Sequence, residues 1–270
     1  MSAPTWTASW QAPCNDPAAE FRAIQVPRNT TGRLISFPVR PTKVGNAMRV
    51  EVLQGDYAWN PAADGGKGAQ IPGGWRAEAV GPEEHQSDQL VRYEWSTMFD
   101  TDYAQSPVGS DGHPIWQVVF QFHQGDNDQG GSPPVAFIIV NDKVHLDAET
   151  VQSGASVQVG QWPIADLNRG TWHDFAAEIK WHPHDGTIKV WYDGQPVTFD
   201  PVPSQANPGS NFPQHSTDTL TGLTTLFPPQ QNSPDPSSVY MKAGLYREPI
   251  NSNPSQTFVL YHDEIKRLTQ

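Results

Sequence analysis

Apolar and polar residues alternate along the chain in short runs that are separated by turn-forming residues. In the run at 118–123, strand geometry sends Phe120 and Phe122 to one face, and Gln121 and His123 to the other. Similar runs occur at residues 34–39, 47–53, 89–98, 135–140, 172–181, 187–192, 238–246 and 257–265. A period of two that recurs this often predicts many short strands, each with one buried face.

Turn signals join these runs into an antiparallel arrangement. The tripeptide HDG at 184–186 separates the runs at 172–181 and 187–192, and YDG at 192–194 ends the second of them. This spacing predicts a long antiparallel hairpin. We interpret three segments rich in Gly, Pro and polar residues as loops, at 60–74, 106–113 and 201–237.

Composition supports an all-β fold. The chain contains 26 Pro, 22 Gly and 10 Trp residues, which is typical of sandwiches and barrels and not of helical bundles. No break in composition marks a boundary, so residues 1–270 are predicted to form a single domain. We expect a β-jelly roll, that is, a sandwich of two antiparallel sheets with a concave cleft.

The charge of the chain excludes two classes of partner. Its formal net charge is −12, so we expect no general attraction to nucleic acid or to an anionic membrane. An anionic ligand would need a local group of Arg and Lys side chains. Cys14 is the only cysteine, which rules out an intrachain disulfide.

Localisation is indicated only weakly by the sequence. No apolar run reaches the length of a transmembrane helix, and residues 1–4 do not resemble a signal peptide. A charged fraction of only 17%, together with the many Trp and Pro residues, fits an exported protein. We therefore expect a secreted, extracellular protein that acts as a monomer.

The polar faces of three predicted strands have an unusual composition. A solvated strand face usually carries Thr, Ser, Lys and Glu. These faces instead carry Arg49, Glu51, Gln121, His123, Tyr240, Lys242 and Tyr246. Amide, imidazole, phenol and cationic groups together can bind a carboxylate and transfer protons. Gly244 lies on the same face of its strand, and its missing side chain would leave room for a ligand.

Several stretches, taken in order, resemble a known family. They are RVE at 49–51, QFH at 121–123, GTWHDFAAEIKW at 170–181, GTIKVWYDG at 186–194, YMKAGLYR at 240–247 and YHDEIKR at 261–267. The set resembles the jelly-roll polysaccharide lyases of the concanavalin-like fold. It is most similar to the glucuronan lyases and heparin lyase I, and more distantly similar to alginate lyases with a Gln-x-His strand.

This resemblance implies a reaction and a partner. Such lyases cleave an anionic, uronate-containing polysaccharide by β-elimination, which leaves an unsaturated uronate end and needs no cofactor for the chemistry. The chain lacks a second Arg two residues after Glu51 and an Asn-Gln pair after Tyr246, which weakens the alginate assignment. We expect a polyuronate of the β-1,4-glucuronan type, with heparin or alginate as alternatives.

The resemblance also implies residue roles. Gln121 and Arg49 would hold the uronate carboxylate, while His123 or a tyrosine would act as base and a tyrosine as acid. Tyr246, four residues after Lys242, is the favoured catalytic tyrosine, and Tyr240 is the alternative. Further candidates for substrate binding are Glu51, Lys242, Arg92 and His85.

Two of these candidates have ordinary explanations as well. His85 is equally explained as an exposed loop residue, and Arg92 as a partner of Glu94. Related lyases hold a structural Ca²⁺ on the convex side, which implies a calcium ligand at Asp263 or Glu264.

Two other functions compete with the lyase. A non-catalytic, lectin-like module would use the same sandwich, but it has no need for His123 and Tyr246 on one cleft. A glycoside hydrolase needs two carboxylates about 5–10 Å apart. No predicted strand shows Glu-x-Asp-x-Glu spacing, so the hydrolase is disfavoured.

Overall fold

The protein is all-β in the part of the chain that the structure describes. A computed structural model describes residues 7–12, 23–25, 35–36, 47–53, 57–60, 69–85, 88–105, 108, 112–125, 128, 131–203, 211–212, 215–231, 237–248 and 258–270. Within these ranges there are nineteen strands and no helix. Consequently none of the described segments is a helix that could cross a membrane.

The strands vary widely in length. In chain order they are β1 (Thr7–Ala12), β2 (Ala23–Gln25), β3 (Ile35–Ser36), β4 (Met48–Val52), β5 (Tyr57–Asn60), β6 (Ala69–His85), β7 (Leu90–Phe99), β8 (Gln117–Gln124), β9 (Val135–Val140), β10 (Lys143–Gln152), β11 (Ala155–Asp166), β12 (Trp172–Lys180), β13 (Gly186–Tyr192), β14 (Gln195–Pro196), β15 (Val202–Pro203), β16 (Asn211–Phe212), β17 (Leu220–Leu223), β18 (Ser238–Arg247) and β19 (Phe258–Thr269).

Two antiparallel sheets make up the sandwich. The first has nine strands in the order β14-β13-β12-β7-β19-β4-β3, with β1 beside β19 and β17 beside β13. We call it the back sheet. The second has eight strands in the order β11-β10-β9-β8-β18-β6-β2, with β5 beside β6, and we call it the cleft sheet. The predicted all-β jelly roll of two antiparallel sheets is confirmed.

Aromatic side chains pack the sheets against each other. Phe120 and Phe122 of β8 are fully buried, as their alternation with polar residues predicts. The ring of Trp95 on β7 stacks on Phe120 at a centroid distance of 4.1 Å, and Tyr93 lies 4.4 Å from Phe122. Because burial of a Phe side chain contributes about 1.5–3 kcal/mol, this pattern fixes which face of β8 points outward.

The predicted hairpin is confirmed as β12 and β13. The two strands pair in register from Phe175 opposite Tyr192 to Lys180 opposite Thr187. At the second turn, Asp193 has a φ of 49° and Gly194 a φ of 76°. These left-handed conformations are those that a tight Asp-Gly hairpin turn requires.

Some loop predictions are wrong. Residues 69–74 belong to β6 and not to a loop, while 61–68 lie outside the described residues. The segment 201–237 contains the short strands β15, β16 and β17, and β17 pairs with β13. Most of 106–113 lies outside the described residues.

Three long strands of the cleft sheet were not predicted. Pro and Gly residues interrupt the alternation of β6, and a β-bulge accommodates this interruption opposite β18. Strands β10 and β11 carry two register shifts, which break their period of two in the same way. Each of these strands contributes side chains to the cleft.

Candidate active site

A cleft of about 520 Å³ lies on the outer face of the cleft sheet. Its floor is built by β6, β18, β8, β9, β10 and β11, which are adjacent in the sheet. Residues directly opposite each other on paired strands share a face, so the register arranges the floor in transverse rows. Three such rows define the site.

The central row crosses five strands in direct register. Lys242 pairs with Gln121, Gln121 with Ala136, Ala136 with Asp147, and Asp147 with Gln161. The row therefore begins with cationic and amide donors and, beyond the small side chain of Ala136, contains the carboxyl group of Asp147 followed by the amide of Gln161. A sugar chain lying across the strands would contact both ends.

The second row contains the predicted histidine. His123 pairs with Tyr240, and the two rings stack with centroids 5.3 Å apart. The His123 Nδ1 atom lies 2.9 Å from the carbonyl oxygen of Gln124, and since a carbonyl only accepts, Nδ1 carries the hydrogen. In the neutral ring this leaves the lone pair on Nε2, which is the form that accepts a proton.

Glu78 lies at the centre of the donor groups. Its Oε1 accepts a hydrogen bond from the Nε2 of Gln121, and its Oε2 lies 4.0 Å from Lys242 Nζ and 3.9 Å from a guanidinium nitrogen of Arg76. The side chains of Lys242 and Glu78 are only 3% and 2% exposed. Two buried cations around one carboxylate leave a net positive centre, which suits an anionic group of a ligand.

The third row is apolar. Tyr246 pairs with Val118, which pairs with Ile138, and Trp116 packs edge-on against the Tyr246 ring at 4.9 Å. The Tyr246 hydroxyl accepts a hydrogen bond from the backbone N–H of Gly74 at 3.2 Å. Aromatic and aliphatic surface of this kind can stack on the apolar face of a sugar ring.

Gly244 has a different role from the predicted one. A Cβ at this position would collide with the carbonyl oxygen of Ala77 and lie 2.7 Å from the Cα of Glu78, both on β6. The glycine thus permits β6 and β18 to approach closely, and it does not mainly open space for a ligand. This approach holds Glu78 beside Lys242.

The far end of the cleft is acidic. Asp147 and Glu149 are on β10, and burial raises the pKa of each carboxyl to about 7. For Glu149 the neighbouring charge of Asp147 raises the pKa further. Gln158 and Gln161 donate hydrogen bonds to Asp147, which partly offsets its desolvation.

Arg49 and Glu51 do not lie in this cleft, and their predicted place beside Gln121 is wrong. Both are on β4 of the back sheet, where Arg49 forms an ion pair with Glu51 at 3.0 Å. Alternation correctly placed the two side chains on the polar face of their strand. It could not determine to which sheet the strand belongs.

Arg92 also lies on the back sheet. Its guanidinium is 2.8 Å from Glu94 and 2.8 Å from Glu178, and it lies over the Trp191 ring at 4.6 Å. The ordinary explanation, a pair with Glu94, is therefore observed. His85 is the last residue of β6, in the cleft sheet, and its side chain is outside the described part of the structure.

Sequence reasoning missed Arg76 and Glu78, although a signal was present. Arg76-x-Glu78 has the same spacing as Arg49-x-Glu51. It lies in β6, which the interrupting Pro and Gly residues concealed. A comparison of every Arg-x-Glu pair in the chain would have included it.

Asp263 is buried on β19, and its Oδ1 accepts a hydrogen bond from the Glu264 N–H at 2.8 Å. Calcium takes six to eight oxygen ligands. Among the described residues, no group of three or more His, Cys, Asp or Glu side chains could hold a metal ion. Calcium at Asp263 therefore stays a prediction, and no step below relies on it.

The fold and the cleft together define a jelly-roll protein with a groove suited to a sugar chain. A family model described as polysaccharide lyase matches residues 39–266. The chain therefore belongs to the polysaccharide lyase family. This family is a class of enzymes, so the alternative of a non-catalytic, lectin-like module is not supported. No curated protein sequence matches the chain.

Solved structures share the fold at low sequence identity. The endo-β-1,4-glucuronan lyase of the fungus Trichoderma reesei is 16% identical with a TM-score of 0.65, over 98% of this chain and 96% of that one. An alginate lyase of Klebsiella pneumoniae is 10% identical with a TM-score of 0.53, over 87% and 84%. An alginate lyase of a Chlorella virus is 9% identical with a TM-score of 0.51, over 93% and 93%.

Proposed function

We propose that the protein cleaves chains of β-1,4-linked glucuronate by β-elimination. The observation that carries this proposal is the buried donor group of Arg76, Gln121 and Lys242 next to the stacked pair His123 and Tyr240. The donor group suits a carboxylate, and the stacked pair suits proton transfer at the same sugar.

The donor group addresses the main barrier of the reaction. The C5 proton of a uronate is weakly acidic as long as the adjacent carboxylate keeps its full negative charge. Donors that are already in position stabilise the charge that develops when the proton leaves. Arg76 and Lys242 supply positive charge, and Gln121 supplies an amide donor held in place by Glu78.

His123 is the proposed base. Its Nδ1 hydrogen is directed to the Gln124 carbonyl, so the neutral ring offers the Nε2 lone pair. An imidazole titrates close to neutral pH, which makes it an effective general base there. Gln121 cannot take this role, because an amide does not titrate.

Two tyrosines compete for the role of acid. Tyr246 is half-buried and lines the cleft, but its hydroxyl already accepts the Gly74 N–H. Tyr240 is 6% exposed, yet its ring stacks directly on His123 and lies 5.6 Å from Lys242 Nζ. Since base and acid must act on one sugar, we assign the role of acid to Tyr240. Tyr246 then forms part of the cleft wall.

The proposed polymer is of the glucuronan type. Its support is the likeness to the Trichoderma reesei glucuronan lyase, which has the highest TM-score of the three structures compared above. Heparin and alginate remain the alternatives. We further propose that the protein acts outside the cell as a monomer, and that the elimination needs no cofactor.

The direct test is an absorbance assay on a panel of polymers. The protein is incubated with glucuronan, alginate, heparin and hyaluronan, and the ultraviolet absorbance of the unsaturated uronate is followed. We expect a rise with glucuronan and none with the His123→Ala variant. No rise with any polymer would overturn the proposed function.

A further inference from the structure

The two ends of the cleft differ in hydrogen-bonding character. At one end Arg76, Gln121 and Lys242 present donors. At the other end Asp147 and Glu149 present carboxyl groups that line the same cleft. The two ends are joined by the central row, in which β8 and β10 are separated by β9 alone, so Gln121 and Asp147 lie about 10 Å apart, or two strand spacings.

The second row repeats this division. His123 lies at one end, and Glu149, which pairs with Gln158, lies at the other. The backbone N–H of Glu149 donates to the carbonyl of Pro134, which directly precedes Val135, the partner of Phe122 in the sheet. Both carboxyl groups are thus held by the register of the sheet, on the floor that the polymer must cross.

The groups that surround the two carboxyls are uncharged. On β11 they are Gln158 and Gln161, which donate to Asp147, and Ser156, which donates to Glu149 together with Ser132 before β9. The cleft-facing residues of β9, on the other side of β10, are Ala136 and Ile138. Among the described residues that line the cleft, the cations Arg76 and Lys242 and the titratable His123 are all at the donor end.

Sugar substituents would distinguish these two ends. A uronate carboxylate only accepts hydrogen bonds, so it fits the donor end. Hydroxyl groups and ammonium groups donate, so they fit carboxylate acceptors. A second uronate carboxylate at Asp147 and Glu149 would meet like charge in a partly desolvated site.

We propose that Asp147 and Glu149 form a specificity subsite for a sugar unit without a carboxylate, next to the uronate that is cleaved. This rests on the proposed function and refines its substrate. Uniform glucuronan is cleaved, but a glucuronate chain interrupted by neutral or amino sugars is cleaved faster. The acidic pair thus selects the neighbouring unit, and the donor group selects the uronate.

The titration of the pair supports this proposal. Burial raises the pKa of both carboxyls to about 7, and for Glu149 the charge of Asp147 contributes as well. The site therefore disfavours ionisation of both carboxyl groups at the same time. A further carboxylate from the substrate would add to that cost.

The test compares two polymers that share one linkage. One is glucuronan, and the other is glucuronan in which part of the carboxyl groups has been reduced to hydroxymethyl groups. We expect kcat/KM per remaining uronate to be about tenfold higher for the reduced polymer. In Asp147→Asn and Glu149→Gln, kcat/KM for uniform glucuronan should rise. The ratio of kcat/KM between the reduced polymer and glucuronan should therefore fall towards one.

Glu178→Gln is the matched control, because it removes one negative charge from the outer face of the back sheet. It should keep the tenfold preference. Thermal melting of each variant verifies the fold. If the wild type cleaves both polymers equally per uronate, or if the cleft variants keep its preference, the subsite is refuted while the lyase stands. Absence of cleavage of every polymer would refute the lyase itself.

Discussion

The outer faces of the two sheets use the same residue pattern in opposite ways. On the back sheet, Arg92 lies between Glu94 and Glu178, so one cation serves two carboxylates. On the cleft sheet, Arg76 and Lys242 lie around the single carboxylate of Glu78. The first arrangement leaves negative charge, and the second leaves positive charge.

Burial adds to this difference. The side chains of Arg92 and Glu94 are 20% and 34% exposed, whereas those of Arg76 and Glu78 are 9% and 2% exposed. An exposed ion pair typically contributes about 0–1 kcal/mol and is screened by salt. Buried charges are stabilised only by their partners, so a ligand that supplies a further partner can bind strongly. An Arg-x-Glu pair becomes a binding site through its neighbours and its burial.

The largest expected effect concerns the two tyrosines of the cleft face. Tyr240→Phe should lower kcat about 1,000-fold with little change in KM, because proton transfer by a positioned side chain contributes about 10²–10⁴-fold. Tyr246→Phe keeps the ring that forms the cleft wall and removes only the hydroxyl that accepts the Gly74 N–H, so a loss of about tenfold is expected. Initial rates on glucuronan measure both losses. A larger loss for Tyr246→Phe than for Tyr240→Phe would assign the acid role to Tyr246.

The next effect concerns the carboxylate at the centre of the donors. Glu78→Gln should lower kcat about 100-fold, because a neutral amide oxygen accepts the Gln121 hydrogen bond more weakly than a carboxylate and orients Gln121 less firmly. KM should fall or stay unchanged, since the substrate carboxylate no longer competes with Glu78 for two cations. Glu94→Gln on the back sheet is the control and should change neither constant by more than about twofold. A raised KM for Glu78→Gln would contradict its proposed role.

Salt should reveal which face attracts the polymer. The chain as a whole carries a formal charge of −12, so a polyanion can only be drawn to a local positive group. We expect kcat/KM on glucuronan to fall several-fold between low and physiological ionic strength, where the Debye length shortens to about 8 Å. Turnover that does not depend on salt would argue against the cationic cleft.

The smallest effect tests the contact between the two sheets. His262 on β19 of the back sheet is fully buried, and its Nε2 lies 3.4 Å from the carbonyl of Gly244 on β18. Its Nδ1 lies 2.9 Å from the hydroxyl of Thr97. Burial lowers the pKa of His262 to about 4, against an ordinary value of 6.5.

The sign of the pH effect follows from this depressed pKa. Protonation favours the unfolded chain, so the stability that His262 contributes is fully present above pH 6.5 and is lost as pH falls towards 4. Asp147 acts in the opposite direction, because its pKa is raised to about 7 and its contribution is lost as pH rises through that value.

Melting temperatures at a series of pH values test both groups. His262→Gln should weaken the loss of stability between pH 6.5 and 4, and Asp147→Asn should weaken the loss as pH rises towards 7. We expect differences of a few degrees for a chain of this size. Unchanged pH profiles would show that these groups titrate normally in the folded protein.

Alternation along strands predicted the faces of the sandwich correctly. Phe120 and Phe122 pack between the sheets, while Gln121, His123 and Lys242 face the cleft. This works because successive side chains on a strand point to opposite sides, a property of the local backbone. The family resemblance then predicted the jelly roll, which the structure confirms, and the lyase class, which the family match confirms.

The alternation of apolar and polar residues could not predict to which sheet a strand belongs. Arg49 and Arg76 occur in the same motif, but only long-range pairing separates β4 in the back sheet from β6 in the cleft sheet. The pair Asp147 and Glu149 was missed for a related reason, since bulges in β10 and β11 break the alternation. Their raised pKa values arise from burial in the assembled cleft.

The most direct test of this account compares Arg76→Gln with Arg92→Gln. Both variants remove one guanidinium from an Arg-x-Glu pair, one on each outer face. On glucuronan, Arg76→Gln should lower kcat/KM at least about 100-fold, as expected for loss of a preorganised charge at the reacting group. Arg92→Gln should stay within about twofold of the wild type. Equal losses, or a larger loss for Arg92→Gln, would contradict the assignment of the chemistry to the cleft sheet.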